Sequence, residues 1–124
     1  LPHQHQDGLN LVPLLKGANS WDRDALFWHF PHYNNHPSSF PSSVIRMGNW
    51  KLIETFDPAG LELYNLGDDL GESMNLAVKR PELAKALHDR LRQWRQSAGA
   101  EMMTLNPDYA PEKKAPDKGK RKLQ

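Results

Sequence analysis

Two closely spaced turns within residues 44–66 leave this chain little freedom in how it folds. Val44, Ile45, Arg46 and Met47 form a strand-like run. Gly48-Asn49 then reads as a two-residue hairpin turn, and Trp50, Lys51, Leu52, Ile53 and Glu54 lead back. Asp57-Pro58-Ala59-Gly60 supplies a second turn. Beyond it Leu61, Leu63 and Asn65 alternate with Glu62, Tyr64 and Leu66, the period-two pattern of a half-buried strand. Three antiparallel strands follow. The apolar, aromatic run Ala25–Phe30 (ALFWHF) is too short for a stable helix and rich in strand formers, so it is read as a fourth strand ended by Pro31.

A meander with one apolar face needs a cover, and the sequence carries one. Pro81 suits the first position of a helix, where its missing N–H costs nothing. Leu83, Ala84, Leu87, Leu91, Trp94 and Ala98 recur at steps of three and four over about 18 residues, or roughly 27 Å of helix. Lys85, Asp89, Arg92 and Gln96 mark the opposite face, and Gly99 ends the element. The fold class expected is therefore α+β, a four-stranded antiparallel sheet with one long C-terminal helix packed on one face. A short first helix is read around Leu9–Leu15, with Asp7 as N-cap, Gly17 as the residue just past its end and Pro13 limiting its regularity. Residues 1–106 form the folded unit in this reading. Residues 107–124 are Pro- and Lys-rich, cannot bury a core and read as a basic, disordered tail.

At 124 residues there is room for one small domain. A net charge of +1 gives no global reason to expect nucleic acid, and no apolar run approaches the roughly 20 residues that a membrane helix needs. With no cysteine there is neither a disulfide framework nor a thiolate metal site. The chain begins at Leu1, and its opening LPHQHQDG has no signal-peptide pattern. It is read as the C-terminal piece of a longer polypeptide.

Candidate chemistry concentrates in residues 31–43 (PHYNNHPSSFPSS), a long loop by turn chemistry of the kind that is functional or disordered in small domains. His29, His32 and His36 lie at its entrance and within it. A zinc site wants three or four convergent ligands, and His29-x-x-His32 alone does not supply them, so no metal ligands are assigned. His32 and Tyr33 lie just past the strand end, and both are flat, amphipathic groups able to donate and accept, suited to sugar hydroxyls. His29 is balanced between a ligand-facing role and a place in the sheet, hydrogen-bonded to backbone with Phe27 and Trp28 as core. Arg46 and Lys51 read as solvated strand-face cations, and Trp50 as core. Asp68, Asp69 and Glu72 lack the fixed ligand steps of a calcium loop. No nucleophile elbow, phosphate loop or HExxH helix is present, so no catalytic residue is assigned.

The segments DGLNLVPLLKG, RDALFWHFPHY, SSVIRMGNWKLIE, LELYNLGDDLGESMNLA and PELAKALHDRLRQW, in that order, closely resemble the C-terminal subdomain of type I sulfatases. Among these the match is most like bacterial enzymes of the arylsulfatase A or N-acetylgalactosamine-6-sulfatase kind. It runs from about Asp7 to about Pro111. The resemblance implies an alkaline-phosphatase-like α/β fold in two parts. The N-terminal catalytic part would hold a formylglycine nucleophile and calcium, and neither its C/S-x-P-S/A-R motif nor its metal ligands occur here. The resemblance also implies that this subdomain packs against that part and lends pocket residues, matched here by His29, His32 and Tyr33. The expected function is hydrolysis of sulfate esters of a sulfated carbohydrate by the full-length protein, in the periplasm or secreted, with this chain alone inactive. The alternatives are a non-enzymatic carbohydrate- or protein-binding module, or a relative whose catalytic part has degenerated.

Overall fold

A computed structural model describes residues 8–19, 22–34, 36 and 39–108. The sheet consists of β1 (Ala25–Phe30), β2 (Ser42–Met47), β3 (Trp50–Phe56) and β4 (Ala59–Asn65), preceded by a one-turn helix α1 (Val12–Leu15) and followed by α2 (Pro81–Ser97). The strands lie in chain order and every neighbouring pair is antiparallel. The fold class is the one expected, a four-stranded antiparallel sheet with one long helix across it.

β1 has the expected bounds, while β2 starts two residues earlier, β3 runs on to Phe56 and β4 starts at Ala59 and stops at Asn65, each for a local reason. Ser42 and Ser43 were read as loop, yet they pair with Phe30 and His29 on one side and with Thr55 and Glu54 on the other. Two-sided pairing overrides serine's turn preference. The second turn contracts to Asp57-Pro58, whose peptide is cis, so Phe56 pairs with Ala59 and Thr55 with Gly60. The first turn is as expected, with Gly48 at φ 57°, a left-handed conformation that costs glycine little. α1 is a single turn. Asn10 Oδ1 accepts from the Val12 N–H at 3.0 Å, while the expected cap Asp7 lies outside the described residues. The basic tail lies there too, apart from Pro107 and Asp108.

The core lies between α2 and one face of the sheet. Ile45, Leu52, Leu63 and Ala25 meet Ala84, Leu87 and Leu91, with Phe27, Met47, Trp50, Leu61, Leu83 and Trp94 around them. Phe27 and Trp94 stack at 4.8 Å with their rings 6° apart, joining the first strand to the last helical turn. One position departs from the expected stripe: Ala98 is exposed, and Arg95 is buried beside Leu91. The other face carries Trp28, Phe30, Val44, Arg46, Lys51 and Ile53, and among the described residues no helix covers it.

Candidate functional site

β1 ends at Phe30 and β2 begins at Ser42, so residues 31–41 are held at both ends by one antiparallel ladder. Further ties hold several of its described residues. The Tyr33 hydroxyl donates to Asp57 Oδ2 in the β3–β4 turn. Asn34 Nδ2 donates to Ser39 Oγ at 2.7 Å, and Asn34 Oδ1 accepts from the His36 N–H at 2.8 Å. Ser39 N–H reaches the His36 carbonyl at 3.1 Å, and the Phe56 N–H reaches the Pro41 carbonyl at 2.9 Å. Asn34, Ser39 and Pro41, among the residues that marked this segment as a loop, are thus groups that shape it.

The three residues singled out from sequence occupy different situations. His32 is exposed, its ring edge-on to Phe30 at 5.4 Å, and among the described residues its ring nitrogens have no hydrogen-bond partner. Tyr33 is 65% exposed, but its hydroxyl is engaged by Asp57. His29 is on the helix side of the sheet with both nitrogens used: Nδ1 lies 2.7 Å from Ser43 Oγ, and Nε2 lies 2.7 Å from the Glu101 carbonyl. Its surroundings match the sheet-residue alternative in part. Phe27 packs on the core, whereas Trp28 is half exposed on the opposite face.

Beneath the loop is a charged cluster that sequence reading missed. Arg95 Nη1 meets Glu54 Oε2 at 2.5 Å and Ser43 Oγ at 3.1 Å, and its guanidinium stands 5.4 Å above the Phe56 ring. His88 Nε2 lies 2.9 Å from Glu54 Oε1, near enough for an ion pair but without a well-aligned hydrogen bond. Burial pushes the Glu54 carboxyl up, yet the hydrogen bond from Arg95, the close approach of His88 and the charge of both outweigh it and hold its pKa below the ordinary value. A signal for Arg95 was present, since it falls four residues beyond Leu91 on the buried line of α2.

The acids after β4 are structural. Asp69 accepts from the Ser73 and Met74 N–H groups at 3.1 and 2.8 Å, and these backbone bonds lower its pKa. Glu72 pairs with Lys51 at 2.6 Å, so Lys51 is an ion-pair partner instead of a solvated cation. Arg46 remains exposed. A shallow cavity of about 390 Å³ opens on the helix-free face, lined by Trp28, Val44, Arg46, Lys51, Leu66 and Glu72. Among the described residues, no three His, Asp or Glu side chains gather as a metal site would require.

Residues 1–97 match the family model described as N-sulphoglucosamine sulphohydrolase, C-terminal. The chain belongs to this sulfatase C-terminal family. A curated relative, "Sulfatase" from Formosa agariphila, is 34% identical over 103 residues, covering 73% of this chain. The chain spans 18% of that relative's length. The sulfatase resemblance read from the residues is therefore correct, and the matching family model takes its description from a sulfohydrolase acting on a sulfated amino sugar. Among the described residues no helix of this sulfatase domain is long and apolar enough to cross a membrane.

Proposed function

We propose that this domain is the C-terminal part of a sulfatase that hydrolyses sulfate esters of sulfated carbohydrates, and that loop 31–41 forms one wall of its substrate pocket. The observation that carries this reading is the state of His32: an exposed imidazole without a hydrogen-bond partner among the described residues, on a loop tied down around it. An exposed, two-sided polar ring beside loop residues held at Tyr33, Asn34 and Ser39 is suited to a sugar hydroxyl or a sulfate oxygen. Tyr33 adds an aromatic face beside it, and His29 acts from below, through the strand end. The N-terminal part of the polypeptide supplies formylglycine and calcium in this reading, and it packs on the apolar surface left open here, which includes Trp28 and Phe30 at 50% and 47% exposure. Export to the periplasm or beyond belongs to the same proposal. This domain alone has no sulfatase activity in this reading.

The test is His32→Ala in the full-length protein. Loss of one hydrogen bond to substrate costs on the order of 1 to 3 kcal/mol, so kcat/KM on a sulfated disaccharide should fall roughly tenfold to hundredfold. A small aryl sulfate has no sugar hydroxyl to lose, and its hydrolysis should be nearly spared. Equal losses on both substrates would move His32 to the sulfate site or to folding. No loss on either would make the loop a bystander.

A further inference from the structure

For a neutral His29 ring, the partners of the polar chain under the loop give it one direction. Arg95 has no acceptor, so its Nη1 donates to Ser43 Oγ at 3.1 Å. The Glu101 carbonyl can only accept, so His29 Nε2 carries the proton and donates to it at 2.7 Å. In the neutral ring Nδ1 is then an acceptor, and the one partner it has is the Ser43 hydroxyl at 2.7 Å, which must donate. The relay therefore runs one way, from Arg95 to Ser43 to His29 to the Glu101 carbonyl. Its head is anchored by Glu54, beside His88. The ring of Phe56 closes the side, edge to face with His29 at 5.9 Å and under the Arg95 guanidinium.

Its position matters more than its length. His29 and Ser43 are cross-strand partners, one residue inside each foot of loop 31–41. The relay clamps both feet to α2 and to the chain that follows it. We propose that Arg95, Ser43 and His29 are positioning residues for the substrate loop, holding His32 and Tyr33 at the pocket without touching substrate themselves. This rests on the functional reading above. It also gives a structural reason for a serine that is fully buried and an arginine that is only 8% exposed in so small a domain.

The experiment cuts the relay at its middle atom, with Ser43→Ala in the full-length protein. Initial rates are measured on N-sulphoglucosamine, on N-acetylgalactosamine 6-sulfate and on 4-nitrocatechol sulfate, and amide hydrogen exchange is followed at His36 and Ser39. On whichever sugar is turned over, KM is expected to rise about tenfold with kcat changed less than threefold, while the aryl sulfate loses less than threefold. The two loop amides should exchange about tenfold faster. Nitrogen-15 spectra of the wild-type His29 ring should show the proton on Nε2. Equal losses on sugar and aryl substrates, or unchanged amide exchange, would overturn the positioning role. A proton on Nδ1 would overturn the relay's direction. If the wild-type protein turns over neither sulfate ester, or only N-sulphoglucosamine, whose sulfo group is on nitrogen, the sulfate-ester reading fails, yet the ring spectrum and the loop amides still decide the relay.

Discussion

The two faces of the sheet differ in how far this chain completes them. Under α2, Ile45, Leu52 and Leu63 are at 0% exposure, and even the charged groups there have partners. On the other face Trp28 and Phe30 stand about half exposed, and Arg46 has neither an ion pair nor a side-chain hydrogen bond among the described residues. Alternation along each strand sends near-equal numbers of side chains to the two faces, so the contrast comes from having a single covering helix. The finished face carries the domain's own stability. The unfinished face, rich in aromatic surface, is the one that the proposed N-terminal part would cover.

The largest effect expected from this contrast is a difference between two truncations. Leu91→Ala removes a fully buried side chain and should cost about 2 to 5 kcal/mol in the chain's unfolding free energy. Trp28→Ala removes a larger side chain, but from a half-exposed site, and should cost well under that. The open apolar face should make the chain self-associate with concentration, and Trp28→Ala should weaken that association in sedimentation. Equal destabilisation by the two substitutions would show that the open face is also finished within this chain.

The buried charges give the next effect. Removing Arg95 leaves Glu54 facing His88 alone in a mostly buried site, so Arg95→Met should cost about 3 kcal/mol. Glu54 has its folded pKa below the unfolded value, so its stabilisation is present above that value, near 4.5, and is lost as pH falls through the folded pKa. Thermal unfolding from pH 6 down to pH 2.5 should therefore be steeper for the wild type than for Glu54→Gln, with the difference confined to the region below about pH 4.5. Parallel curves would mean that the cluster is too well solvated to matter.

The legibility of these features in the sequence follows the same division. The meander and α2 could be read because turn chemistry and apolar period are local signals. Pro81, Gly48-Asn49 and the Leu83–Trp94 stripe each say what they are. Loop 31–41 was legible as a loop, and its Tyr33 and His32 as exposed groups, for the same reason. The polar relay was not. Ser43 looks like one more serine in a serine-rich loop, and its burial arises only because β1, β3 and α2 converge on it. Arg95 was hidden by its charge, since a stripe counted in apolar residues steps over it to Ala98. Long-range polar contacts such as Arg95 to Ser43, 52 residues apart, leave no periodic trace.

The smallest effect serves as a control on the whole comparison. Gly48 lies in the β2–β3 turn, at the end of the sheet and on neither face, with φ 57° and no atom within 4 Å of where a Cβ would sit. Gly48→Ala therefore meets no steric contact, and its cost is that of holding an L-residue in the left-handed region, about 1 kcal/mol. Chemical denaturation should show a lowered midpoint with an unchanged slope. Self-association should match the wild type, because no side chain on the open face has moved. In the full-length protein the ratio of sugar to aryl sulfate activity should also be unchanged. If Gly48→Ala altered association or that ratio, general destabilisation alone would be enough to mimic the effects assigned to Trp28 and to the loop. The distinction between the two faces would then have to rest on differences larger than this one.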